Sequence, residues 1–259
     1  MNLGISGRKA IVCASSRGLG RACAEALAQA GCEVVVNGRT QETVDATVTE
    51  LREKTGAKIS GVVADVADRA GQDALLAACP EPDILINNNS GPPLRDFRTL
   101  TREQMLDGVV ANMVVAVEMT QRVIDPMVRR KFGRIVNITS GTVKMPQAGL
   151  DLSSGARAGL TAFLAGVARS VAASNITINF ILPGAFDTDR LRATLQGGAT
   201  RQGITYEAAA TQRINTIPAR RFGEPQEIGA LCAYLCSVQA GFITGQNLVI
   251  DGGAFPGTF

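Results

Sequence analysis

The chain has 259 residues, 46% apolar and 19% charged, which is enough to close a core without disulfide or metal staples. Its 26 basic and 23 acidic side chains leave a net charge of +3, without the clustered excess that nucleic-acid or membrane surfaces require. Histidine is absent, which removes the commonest general base and zinc ligand, and no metal site is expected.

Taken in chain order, short β-rich apolar runs alternate with longer helical patterns. The pattern predicts a strand over 9–14, a helix over 19–30 ending at Gly31, and a strand over 33–37. A helix over 40–54 stops at Gly56, and a strand (58–64), a helix (69–78) and a strand (83–87) follow. One long helix, 101–130, precedes a strand at 134–139, and a helix at 152–173 precedes a strand at 177–182. A helix at 226–237 and a strand at 247–250 close the chain. Strands apolar on both faces that alternate with helices predict a parallel sheet covered on both sides. Right-handed crossovers make it a doubly wound, Rossmann-type α/β sheet, with its ligand crevice at the carboxyl ends of the strands. No repeat, low-complexity tract or linker divides it, so residues 1–259 are expected to form one domain. Residues 187–216, rich in Gly, Thr and Arg, read as a long loop, and a loop of that length is usually a lid or poorly ordered.

Six cysteines (Cys13, Cys23, Cys32, Cys79, Cys232 and Cys236) form no CxxC pair and read as buried, inert thiols of a reducing compartment. No signal-peptide core opens the chain, and no apolar run approaches the roughly 18–20 residues that span a bilayer. A soluble, cytoplasmic protein is expected, without nucleic-acid or membrane partners.

The first predicted strand runs into Ser15-Ser16-Arg17-Gly18-Leu19-Gly20 and directly into a helix. Gly18 suits a tight turn, Gly20 suits close packing, and the free N–H groups of a helix start suit a pyrophosphate. The second strand ends in Val36-Asn37-Gly38-Arg39, without the carboxylate that would accept from a ribose 2′-hydroxyl. Arg39, with Arg17 on the turn, suits a 2′-phosphate instead, so NADP(H) is the expected cofactor.

These features resemble the short-chain dehydrogenase/reductase family, whose glycine motif TGxxxGxG corresponds here to Cys13-Ala14-Ser15-Ser16-Arg17-Gly18-Leu19-Gly20. Asp65-Val66 resembles the family's adenine-contacting pair, and Asn87-Asn88-Asn89-Ser90 its NNAG. Pro183-Gly184 with Thr188 resembles the PGxxxT that holds the carboxamide end of the cofactor. Ile243-Thr244-Gly245-Gln246 and Asp251-Gly252-Gly253 resemble its last strand. The resemblance implies cofactor contacts from Ala14, Ser16, Arg17, Gly18, Leu19, Gly20, Arg39, Asp65, Val66, Asn88, Arg157, Pro183, Gly184 and Thr188.

In this family a Tyr protonates or deprotonates the alcohol/carbonyl oxygen. A Lys four residues on lowers the Tyr pKa, a Ser polarises the carbonyl, and an Asn keeps a water relay. Asn112 and Ser140 fall at the Asn and Ser positions. Thirteen residues after Ser140, where the Tyr belongs, stands Ser153, and Arg157 stands at the Lys position, followed by Ala158-Gly159 as in the family. A serine hydroxyl is a weaker acid than a phenol of pKa about 10 and is shorter. The replacement donors are Lys144, Tyr206 in the 187–216 segment, or Ser140 and Ser153 acting together. Tyr234 reads as core.

The resemblance implies an NADPH-dependent reductase interconverting a carbonyl and an alcohol with a non-standard proton donor, and its scaffold is closest to 3-oxoacyl-carrier-protein reductases. The substrate is then a small carbonyl or alcohol compound, a 3-oxoacyl thioester among them. Two alternatives stand: a cofactor-binding sensor or silent subunit without turnover, and non-redox chemistry on the same scaffold. The resemblance also implies a homo-oligomer, tetramer or dimer, with which the apolar, Ala/Val-rich stretches 109–123 and 160–171 are compatible, as they are with burial in the core.

Overall fold

The computed structural model of the chain describes residues 2–258. Seven strands form one wholly parallel sheet: β1 (Lys9–Val12), β2 (Glu33–Gly38), β3 (Ile59–Val63), β4 (Ile84–Asn87), β5 (Gly133–Ile138), β6 (Ile176–Pro183) and β7 (Asn247–Ile250). Their order across the sheet is β3-β2-β1-β4-β5-β6-β7. The chain winds outward from β1 in one direction, then returns to β4 and winds in the other. This reversal opens a crevice between β1 and β4 at their carboxyl ends, the expected place for a ligand.

Nine α-helices lie among the described residues. They are α1 (Gly18–Gln29), α2 (Gln41–Thr55), α3 (Arg69–Ala78), α4 (Arg102–Val109), α5 (Val115–Arg130), α6 (Asp151–Val171), α7 (Asp189–Gln202), α8 (Tyr206–Asn215) and α9 (Pro225–Cys236). Adjacent residues of each central strand feed opposite cores, because successive side chains alternate across a sheet. Val12, Ile86, Val136 and Ile181 pack with Leu27, Leu51 and Leu235 beneath α1, α2 and α9. Ile11, Leu85, Ile135 and Phe180 pack with Leu75, Met119, Val123 and Leu164 beneath α3, α5 and α6. This two-sided burial is why the strands read as continuous apolar runs. At the amino end of the sheet the fully buried Arg134 lies over the Phe132 ring at 4.4 Å, and Arg8 lies over the same ring at 3.9 Å.

Three differences from the sequence expectation bear on the site. Strand β1 stops at Val12 rather than at 14, because Ala14 turns the chain out of the sheet with φ +46°. The expected helix over 101–130 is interrupted by a π turn at Val110–Val114, which widens one turn between α4 and α5. The expected loop at 187–216 is instead two helices: Thr188 and Thr205 cap α7 and α8, and Gly203 at φ +65° ends α7.

Candidate active site

The turn after β1 is held by side chains from neighbouring strands. The Ala14 amide donates to Asn37 Oδ1 at 2.9 Å, and its carbonyl accepts from Asn88 Nδ2 at 3.1 Å. Ser15 Oγ donates to the Val12 carbonyl at 2.6 Å and accepts from the Asn37 amide at 2.9 Å. Asn37 Nδ2 reaches on to the carbonyls of Val62 and Ala64, so one buried amide ties together the ends of β1, β2 and β3. Ser15 and Asn37 were not among the sequence-predicted site residues. No motif names Asn37, and only its place at the end of β2, opposite the turn, gives it this role.

The turn leaves space at the helix start. Gly18 adopts φ +58°, and a Cβ on Gly20 would lie 2.5 Å from the Ala14 carbonyl oxygen, which no side chain tolerates. No side chain caps α1 and no acid lies in its first turn, so its amino end is electropositive and open to an anion. The Cys13 thiol is pushed up to about 12 by burial, which leaves it inert. Ser16 lies against Gly38, while Arg17 and Arg39 are exposed, and Arg39 Nη1 is 3.8 Å from Asp65 Oδ2. Val66 is buried beside them. Thr188, beyond Pro183-Gly184 at the end of β6, leans over Gly18 from the opposite wall.

Across the crevice, Asn112 sits in the π turn with only 5% of its surface exposed. Its Nδ2 donates to the Gly108 carbonyl at 3.2 Å, and its Oδ1 has no partner. Asn112, Asn88, Asn89 and Arg157 line one small cavity. Ser140, after β5, accepts from the Thr142 amide at 3.2 Å and the Thr142 hydroxyl at 3.0 Å. Ser153 and Arg157 lie one turn apart on α6, both buried. Arg157 Nε donates to Ser153 Oγ at 3.0 Å, Nη1 to the Ile138 carbonyl at 2.9 Å and Nη2 to the Asn89 carbonyl at 3.4 Å. All three partners are neutral. Burial, reinforced by the charge of Arg190, lowers the Arg157 guanidinium to about 10.

Among the described residues neither of the other proton-donor candidates is hydrogen-bonded to Ser140, Ser153 or Arg157. The Lys144 ammonium sits 5.9 Å from the Phe255 ring centroid, toward the carboxyl-terminal segment. Tyr206 is half-buried at the start of α8. Tyr234, expected in the core, is exposed on α9, because the apolar stripe of that helix turns its neighbours Ala233 and Leu235 inward instead. All six cysteines are buried.

A family model described as enoyl-(acyl carrier protein) reductase matches residues 13–254. The 3-oxoacyl-[acyl-carrier-protein] reductase FabG of Escherichia coli is 31% identical over 257 residues, covering 98% of this chain and 99% of FabG. The NADPH-dependent reductase BacG of Bacillus subtilis is 30% identical over 255 residues, covering 96% of this chain and 98% of BacG. The solved structure of L-sorbose reductase from Gluconobacter frateurii, complexed with NADPH and L-sorbose, aligns with a TM-score of 0.93 at 27% identity, over 98% of each chain.

Proposed function

The chain belongs to the short-chain dehydrogenase/reductase family, and from that premise we propose that it is an NADP(H)-dependent reductase whose oxyanion is met by Ser153 and Ser140 under the charge of Arg157. The cofactor reading is supported by relatives named as NADPH-dependent or solved with NADPH. It is supported also by the glycine geometry and the uncapped start of α1. Ala14, Ser16, Gly18, Leu19 and Gly20 would line the pyrophosphate, and Arg17 and Arg39 the 2′-phosphate. Asp65, Val66 and Asn88 would line the adenosine side, and Pro183, Gly184, Thr188 and Arg157 the nicotinamide side. When bound, such a cofactor supplies a hydride to an electrophilic carbon of the substrate.

The observation that carries the catalytic reading is the hydrogen bond from Arg157 Nε to Ser153 Oγ at 3.0 Å. Because Ser153 accepts there, its own hydroxyl hydrogen is free to donate to a substrate oxygen. Ser140 accepts twice from Thr142 and is left with a free hydrogen in the same way. Two hydroxyl donors backed by a buried cation stabilise a developing oxyanion. The open Oδ1 of Asn112 would hold the water that reloads them.

A second reading is favoured by the serine at position 153. Reduction of a carbonyl ends in an alkoxide that needs an acid at once. Reduction of a conjugated carbon–carbon double bond ends in an enolate, whose oxygen needs only charge stabilisation while water protonates carbon. The matched family model carries an enoyl reductase description.

The test is NADPH consumption with a saturated ketone and with the matching α,β-unsaturated ketone, each product identified. Alcohol formation supports the first reading, and saturation of the double bond supports the second. Saturable NADPH binding with no consumption of either would make the chain a silent binder or sensor. Turnover without nucleotide would make the chemistry non-redox.

A further inference from the structure

Arg190 is exposed in the first turn of α7, where a cation opposes the helix dipole. The two acids beside it do not compensate it. Asp187 and Asp189 both face Arg192, at 2.9 and 3.0 Å from Asp187 and 3.4 Å from Asp189. No ion pair to Arg190 occurs among the described residues. Its guanidinium reaches back across the crevice to the loop after β4. There Nη2 donates to the Pro92 carbonyl at 3.4 Å. The same group lies flat against Gly91, where a Cβ would come within 2.9 Å of it.

That loop carries a second guanidinium on its inner side, because the Asn89 carbonyl accepts from Arg157. Arg157 is buried with neutral partners only, and the nearby charge of Arg190 adds to the cost of its charged form. The nearest acid on α6, Asp151, is exposed and accepts from the Gly149 amide. Two cations therefore flank residues 89–92 without a counter-charge; Arg190 is exposed, whereas Arg157 is buried, where a cation without a counter-charge is costly unless something pairs it.

We propose that Arg190 and Arg157 form an anion site in the substrate half of the crevice, and that it selects substrates carrying a carboxylate beside the reducible group. The proposal rests on the reductase reading above and narrows it away from neutral thioesters. A phosphate of the cofactor is the other source of such an anion. The amino end of α1, with Arg17 and Arg39, already supplies a phosphate site on the opposite wall.

The experiment titrates the NADP⁺-loaded protein by calorimetry with 2-oxo-4-phenylbutanoate, 4-oxo-4-phenylbutanoate and their methyl esters. NADP⁺ affinity is measured first in every variant. At least one acid should bind about tenfold or more tighter than its ester. Arg190→Gln should erase that preference with NADP⁺ affinity unchanged within about twofold, and Arg190→Lys should keep part of it. Gly91→Ala, which displaces the guanidinium, should weaken the acid alone. Equal binding of acid and ester, or no binding of either acid, overturns the proposal. So does an Arg190→Gln variant that loses NADP⁺ affinity about tenfold, because the anion is then a cofactor phosphate. Failure of the wild type to bind NADP⁺ would instead sink the reductase reading itself.

Discussion

Ala14 occupies a left-handed backbone conformation, φ +46°, that an L-residue pays for and glycine does not, about 1–2 kcal/mol before the extra chain entropy of glycine is deducted. Ala14→Gly should therefore raise stability by about 1 kcal/mol, or roughly 2–4 °C in Tm, by calorimetry. A lower Tm would mean that the Ala14 methyl packs usefully. Arg157 gives a pH signature. Burial puts its folded pKa, about 10, below that of the unfolded chain, so its charge costs stability below that pH and the cost is relieved above it. The proposed chemistry needs the charge, so kcat/KM should be level below pH 10 and fall as pH rises through about 10. In Arg157→Lys the same burial acts on an amine whose reference pKa is about two units lower, so the falling limb should move toward neutrality. An unmoved limb would assign it to another group. At this scale the sequence carried the positions of Ser153 and Arg157, through their spacing from Ser140. It could not carry their hydrogen bond, nor Arg190, whose significance arises only when α7 folds back over the loop at 89–92.

Among the elements, the π turn is the feature most plainly tied to the site. It buries Asn112 and leaves Oδ1 unpaired, and an unpaired buried acceptor costs roughly 1–3 kcal/mol. Asn112→Ala removes that cost together with one hydrogen bond to Gly108. Tm should thus change by less than about 2 °C, while turnover falls at least roughly tenfold. A large Tm loss with turnover intact would make Asn112 a structural residue. The strands and most helices were legible because apolar runs buried on both faces leave a strong pattern. The π turn was not, because one extra residue in a turn leaves the apolar periodicity of 101–130 nearly unchanged. The helices within 187–216 were obscured by Gly197 and Gly198, although Thr188 and Thr205, each with an acid in the turn that follows, were cap signals in plain view. As a helical pair, not a loop, α7 and α8 would move as a unit if they serve as a lid, with the hinge at the ends of β6 and α8.

At the scale of the whole molecule, two groups stand out among the exposed apolar side chains, which also include Val63, Leu94, Phe97 and Tyr234. Met105, Leu106, Val109, Val110 and Phe163 share the α4 and α6 side, while Phe242, wholly exposed, and Val238 lie beside the β7 edge. Two self-complementary faces build a tetramer, and one builds a dimer. Phe163→Glu and Phe242→Asp should each lower the assembled mass in light scattering, and together they should yield the monomer. Unchanged mass in both would return these faces to solvent. The amide knot at Asn37 bears on the lifetime of the fold in a different way. Asn37 precedes Gly38, a pairing in which the backbone nitrogen readily attacks the side-chain amide and expels ammonia, one reason asparagine is thermolabile. In the fold Asn37 is clamped by three side-chain hydrogen bonds and Gly38 is paired with Val63, so the attack cannot be reached. An unfolded chain has no such protection, and aspartate at 37 would return to face the carbonyls of Val62 and Ala64. Chemical ageing is therefore recorded only in molecules that have once unfolded, and it blocks their way back.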